Sequence, residues 1–125
     1  MIFGLGVDLV EIARMKRTLK KFGGHFEKKC FSDAEIAYCR SRPAPGRHFA
    51  ARFAVKEAVL KALGLGLGQG VALKEIEVVS GSEGRPACRL SGKARERFDR
   101  FGLSAIHISI SHEKNYAVAQ AIAEQ

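Results

Sequence analysis

The spacing of apolar positions assigns most of the chain to elements. Residues 2–8 form a short apolar run that reads as a strand. From residue 10 to 22 the spacing becomes helical, and Gly23 and Gly24 close that helix. SDAE at 32–35 is a capping box: Ser32 accepts from the Glu35 N–H while the Glu35 carboxylate reaches back, starting a helix that runs to about Arg40. SRPAPGR carries two prolines and a glycine and reads as a loop. A long helix follows from about Arg47 to Leu63, with Gly64 as its C-terminal cap. VALKEIEVVS and PACRLS, joined by SGSEGR, read as a hairpin. GKARERFDRFG is a short amphipathic helix with Ala94, Phe98 and Phe101 on one side. LSAIHISIS places Ile106, Ile108 and Ile110 on one face of a strand, HEKN turns the chain, and YAVAQAIA returns as the last strand. Strands and helices segregate instead of alternating, which predicts an α+β fold with a largely antiparallel sheet packed against the long helix. No linker divides residues 1–125, so one domain is expected.

The long helix raises a question of charge. Phe49, Phe53, Leu60 and Gly64 share one side, and Val55, Val59, Ala62 and Leu63 cover much of the rest. A helix apolar nearly all round is buried. Glu57 falls on the stripe of Phe53 and Leu60, so its carboxylate is expected to be buried, with Lys61 one turn beyond. An exposed pair of that spacing contributes only about 0.3–0.5 kcal/mol. Taking both charges out of water costs several kcal/mol per ion, roughly, so a buried carboxylate needs a stronger reason. A second carboxylate from a distant segment, converging with Glu57 on a divalent cation, supplies one. Asp8, after GLGV, is the candidate; its alternative role is a helix N-cap. Oxygen ligands suit Mg²⁺, which keeps several waters and shares its site with substrate phosphates. Lys61 is placed to neutralise such phosphates as a point charge. The glycines at 64, 66, 68 and 70 either cradle phosphate through backbone N–H groups or let the chain turn tightly.

Composition narrows the class. With 46% hydrophobic and 27% charged residues, 125 residues can build a real core. No apolar run approaches the ~20 residues of a bilayer span. MIFGLGVDLVEI lacks a basic n-region, so it reads as a strand and not a signal peptide, and a soluble cytoplasmic protein is expected. Cys30, Cys39 and Cys88 have neither CxxC nor zinc-site spacing and read as reduced thiols partly in the core. The net charge of +8 comes from 21 basic and 13 acidic residues and favours an anionic partner. Arg14, Lys16, Arg17, Lys20, Lys21, Lys28 and Lys29 crowd the first helical segment, followed by Arg40, Arg42 and Arg47.

Taken together, GLGVDLVEIARM at 4–15, FSDAEIAYC at 31–39, FAVKEAVLKALGLGLGQG at 53–70, EIEV at 75–78 and ISISHEKNYAVA at 108–119 resemble the holo-acyl-carrier-protein synthases, the short bacterial class of 4′-phosphopantetheinyl transferases. The order and spacing of these segments span almost the whole chain. The resemblance implies a 4′-phosphopantetheinyl transferase-like fold. It implies transfer of 4′-phosphopantetheine from coenzyme A to a serine of apo-acyl carrier protein, releasing adenosine 3′,5′-bisphosphate, in fatty acid biosynthesis. It places Mg²⁺ on Asp8 and Glu57, Lys61 beside the pyrophosphate, and His112 near the coenzyme A nucleotide, with Gly64 and Gly66 in a loop against the cofactor. Arg14, with Arg17 and Lys21, would face the acidic carrier protein. It also implies a homotrimer with each site between two subunits. Two departures are small: Val55 stands where alanine is commoner, and GLGLGQG lacks the threonine that often follows the first glycine.

Under this reading Glu57 and Lys61 carry the catalysis. The acceptor serine loses its proton to Glu57 or to a metal-bound water; the water is favoured, because a carboxylate ligating Mg²⁺ is a weakened base. Two other classes stand beside this one. A small basic nucleic-acid-binding domain accounts for the charge but leaves Glu57 unexplained, and the chain has no tryptophan and no RNP-type or zinc-finger motif. A catalytically silent paralogue would trimerise without turnover.

Overall fold

The computed structural model describes residues 1–66 and 69–125. Three strands form an antiparallel sheet in the order β1 (Ile2–Glu11), β5 (Tyr116–Glu124), β4 (Ala105–His112). A separate antiparallel hairpin joins β2 (Ile76–Ser80) to β3 (Pro86–Leu90). Four helices precede the hairpin: α1 (Ile12–Phe22), α2 (Gly24–Cys30), α3 (Asp33–Ser41) and α4 (Pro45–Ala62). A fifth, α5 (Gly92–Arg100), leads into β4. The α+β arrangement read from the sequence is the one observed.

Small residues bring α4 onto the sheet. Along β5, Ala117, Ala119, Ala121 and Ala123 alternate inward and are buried, while Ala54, Ala58 and Ala62 of α4 are buried in turn. Gly4 and Gly6 of β1 carry this further. A β-carbon on Gly4 would overlap the Ala62 carbonyl oxygen, and one on Gly6 would overlap that of Ala58. Strand and helix backbones therefore touch, the close approach that only glycine allows.

Element boundaries differ from expectation where partners outside the segment decide them. β1 continues to Glu11, three residues beyond Asp8, because β5 pairs it as far as Tyr116. Asp8 lies inside that strand opposite Ala119, so it is no helix cap; Glu11 stands at the N-cap of α1 without a side-chain cap bond. The long helix starts at Pro45, a residue suited to a first turn because it has no N–H to leave unpaired. Helix α2 was not read from the sequence. Its Phe26 packs on Phe31 and Phe53, so tertiary contact holds seven residues that two glycines would otherwise release. The Ser32–Glu35 capping box forms as read.

The buried charge of α4 is Lys56, and Glu57 is only half-buried. Lys56 is 0% exposed and its ammonium donates to Glu35 Oε1 at 2.8 Å, Ile76 O at 2.6 Å and Leu73 O at 3.1 Å. Glu35, 1% exposed, also accepts from the N–H groups of Ser32 and Val78, each at 2.9 Å. Burial pushes the Lys56 pKa down and the Glu35 carboxylate opposes that shift. The three cysteines are free thiols, and burial pushes Cys39 up to about 11, consistent with the core role expected of it.

Candidate active site

β1 and α4 run antiparallel in contact, Gly4 on Ala62 and Gly6 on Ala58. Even-numbered positions of β1 face the helix, so Asp8 continues that row toward the middle of α4. There it enters one cleft with Glu57, of about 450 Å³, whose lining also includes Glu11, Arg14, Met15, Phe26, Phe53 and Tyr116. Asp8 and Glu57, 49 positions apart in sequence, are thus brought together as expected.

The two carboxylates act on one another. Burial holds the Glu57 carboxyl above the usual carboxylate range, the Asp8 charge raises it further, and Lys61 works against both. Lys61 is not the simple helix partner of Glu57: it donates to Val7 O at 2.8 Å and lies 3.4 Å from Asp8 Oδ1. Its side chain is 54% exposed and free to turn toward a ligand in the cleft. A pair of like charges, with the Glu57 pKa raised despite the exposed Lys61 beside them, fits an added divalent cation. Among the described residues no group of three His, Cys, Asp or Glu gathers, so the donor set supplies few ligands. Such a set suits Mg²⁺, which retains waters and takes substrate phosphate oxygens.

Helix α1 forms one wall. Ile12, Met15 and Leu19 are buried, which turns its basic residues outward. Arg14 lines the cleft, Arg17 reaches Glu11 at 3.4 Å, and Lys21 lies 5.3 Å over the Phe22 ring. Of these three basic residues, Arg14 is the one that lines the cleft with the two carboxylates.

A second basic cluster gathers Arg42, Arg47 and His112, named in the sequence, with His48 and Arg52, which the sequence reading missed. His48 is held below its ordinary value by burial first, then by the charges of Arg42, Arg47, Arg52 and His112. His112, at the end of β4, is the last of the charges that act on His48 of α4. Arg52 stacks 4.1 Å over Tyr38, and Arg42 lies 5.6 Å from the same ring. The Nε atoms of Arg47 and Arg52 are buried without a partner among the described residues. The i, i+4 spacing of His48 and Arg52 was the available signal. Arg52 precedes Glu57 by five residues, about 8 Å along the helix axis and about 140° around it, so the basic cluster and the carboxylate face different sides of α4.

Gly64, with φ +72°, ends α4 in the left-handed conformation, and the Gly66 N–H donates to Gln69 Oε1 at 3.2 Å. Gly68, the third glycine of the expected loop, lies outside the described residues.

Residues 4–121 match the family described as the 4′-phosphopantetheinyl transferase superfamily. The holo-[acyl-carrier-protein] synthase of Syntrophus aciditrophicus is 48% identical over 124 residues, covering 99% of this chain and 97% of that protein. The crystal structure of the Neisseria meningitidis synthase superposes with a TM-score of 0.92 at 30% identity, covering 100% of both chains. That of the Helicobacter pylori synthase in complex with coenzyme A gives 0.84 at 31% identity, over 96% of this chain and 99% of that one.

Proposed function

Because the chain belongs to the 4′-phosphopantetheinyl transferase superfamily, we propose that it transfers 4′-phosphopantetheine from coenzyme A to a serine of an apo-acyl carrier protein, leaving adenosine 3′,5′-bisphosphate. The observation that carries this reading is the cleft in which Asp8 and Glu57 meet beside Arg14 of α1. Bound there, Mg²⁺ would polarise the phosphoryl group under attack and draw off charge as the bond breaks. Asp8 and Glu57 would hold the metal. Lys61 turns from Val7 and Asp8 to neutralise charge moving onto the leaving bisphosphate. Arg47, Arg52 and His48, with His112, hold the nucleotide's outer phosphate. Arg14, Arg17 and Lys21 steer the acidic carrier protein and present its serine.

The outer face of the sheet supports a homotrimer. Leu5, Val7 and Leu9 of β1 are 59%, 56% and 62% exposed, next to half-buried Val118 and Ile122 on β5. A sheet face that met water would be polar; one this apolar calls for further copies of the chain. Among the described residues no helix is long and apolar enough to cross a membrane, in keeping with a cytoplasmic enzyme of fatty acid biosynthesis.

Mass spectrometry of an apo-carrier incubated with the protein, coenzyme A and Mg²⁺ tests the reading. A gain of one phosphopantetheine group is expected, and an unchanged mass with several carriers overturns it.

A further inference from the structure

Lys56 takes no part in the chemistry above, yet it is the most thoroughly bonded side chain on α4. All three of its N–H groups are used, on Glu35, Leu73 and Ile76. Those partners belong to three different parts of the fold: α3, the short 3₁₀ turn at Leu73–Glu75, and β2. The Glu35 end is equally complete, with Ser32 and Val78 donating to it. A buried ion pair is weak evidence for stability, since apolar groups of similar volume often serve the fold as well. What it supplies is a single geometry.

That geometry bears on Glu57. On the strand side, α4 meets β1 and β5 through glycine and alanine, which set its distance, and Val55, Val59 and Leu60 pack into the core around it. On another side the Lys56 socket adds three directional hydrogen bonds that fix its roll about its own axis. Lys56 and Glu57 are consecutive, so a roll that withdraws one side chain swings the other. On a radius of about 5–6 Å, a roll of about 20° moves a side-chain tip by about 2 Å. Mg²⁺ requires near-ideal octahedral geometry at about 2.0–2.1 Å from its ligands, so such a displacement takes Glu57 out of coordination.

We propose that Lys56, seated in its socket of Glu35, Leu73 and Ile76, is a positioning residue that sets the roll of α4 and so holds Glu57 opposite Asp8 in metal-binding geometry. The inference rests on the two-carboxylate reading of the cleft. It predicts that removing the ion pair weakens the metal site while leaving the docking of the carrier protein, on α1, untouched.

The test uses Mn²⁺ as a spin probe, titrated by electron paramagnetic resonance into the full chain with coenzyme A present. Wild type is compared with Glu57→Gln and with the double variant Lys56→Met/Glu35→Gln, which removes both charges and keeps the volume. The double variant is expected to bind Mn²⁺ about tenfold or more weakly, the usual scale for a lost supporting contact, with an unchanged KM for the carrier protein. Wild-type Mn²⁺ affinity in the double variant overturns the proposal, even if its melting temperature falls. If Glu57→Gln also binds like wild type, the metal assignment itself fails; if only the double variant does, the positioning role alone fails. Should the double variant not unfold cooperatively, Glu35→Gln alone, which keeps the shape of the socket and turns one acceptor oxygen into a donor, takes its place. An affinity about tenfold weaker then supports the proposal, and an unchanged one overturns it.

Discussion

Gly6 of β1 and Ala58 of α4 lie so close that no β-carbon fits between the strand and the helix carbonyl. This contact carries the site as well as the fold, because Asp8 and Glu57 lie just beyond it in their respective elements. Gly6→Ala must push the helix away, and a methyl there would also stand 2.9 Å from the Ala62 nitrogen. Overpacking of this kind costs about 1–3 kcal/mol. The variant should therefore lose stability in urea unfolding and most of its transfer activity. Gly24→Ala, where nothing lies within 4 Å of the added carbon, should lose neither.

Glu57→Gln should separate stability from activity. In the metal-free protein the Glu57 charge is opposed by burial and by Asp8. An acid whose pKa is raised on folding lowers stability once the pH exceeds its unfolded value, and the full cost is present above the folded value. Removing the charge should then raise the melting temperature measured in chelator near neutral pH. The same variant should lose Mg²⁺-dependent transfer by a factor of about 100 or more, since charge stabilisation of this kind contributes on that scale. Near-normal turnover would show that Glu57 is not a metal ligand.

Arg14 faces the cleft from α1, whose opposite side is the buried row of Ile12, Met15 and Leu19. Reversing its charge leaves that row intact. Arg14→Glu should raise the KM for an acidic carrier by roughly tenfold, about 1.4 kcal/mol, with the KM for coenzyme A nearly unchanged. The defect should shrink at high salt, where exposed charges are screened. Equal losses for both substrates would show that α1 is not the docking surface.

The exposed row of Leu5, Val7 and Leu9 leads to a prediction about assembly. Val7 points away from α4, so Val7→Glu should leave the single chain folded. Light scattering should report a mass of three chains for wild type and one for the variant. Activity should fall with the mass if the site is shared between subunits. A wild-type mass of one chain would remove the trimer from the reading.

Features were readable in the sequence to the extent that neighbouring residues decide them. The Ser32–Glu35 box is local, and the alternation of Ile106, Ile108 and Ile110 follows from the period of a strand. The end of β1 was misplaced because Glu11 is held extended by Tyr116, more than a hundred residues later. The identity of the buried charge on α4 was misread for the same reason. Glu57 lies on an apolar stripe, but Lys56 has its partner Glu35 on another helix, and only the fold brings them together. Asp8 and Glu57 were identified by chemistry and by resemblance, and their meeting depends on Gly4 and Gly6, whose close approach to α4 only the fold reveals.

His48 should report occupation of the nucleotide-phosphate cluster. In the free protein, burial and the charges of Arg42, Arg47, Arg52 and His112 hold its pKa down. A base lowered in this way has no effect on stability above its unfolded value of about 6.5. Below that pH the unfolded chain binds the proton more readily, so stability falls until the lowered folded value has been passed. A phosphate seated among the arginines neutralises the charges responsible and returns the imidazole to a higher pKa. Binding of adenosine 3′,5′-bisphosphate should therefore take up protons near pH 6, and affinity should rise as the pH falls from about 7.5 to 6. Calorimetry in buffers of different ionisation enthalpy measures the uptake directly. His48→Asn should reduce it and flatten the pH dependence while leaving binding at pH 7.5 nearly intact, because the arginines remain. Proton uptake equal to wild type in that variant would place the titrating group elsewhere and separate His48 from the phosphate.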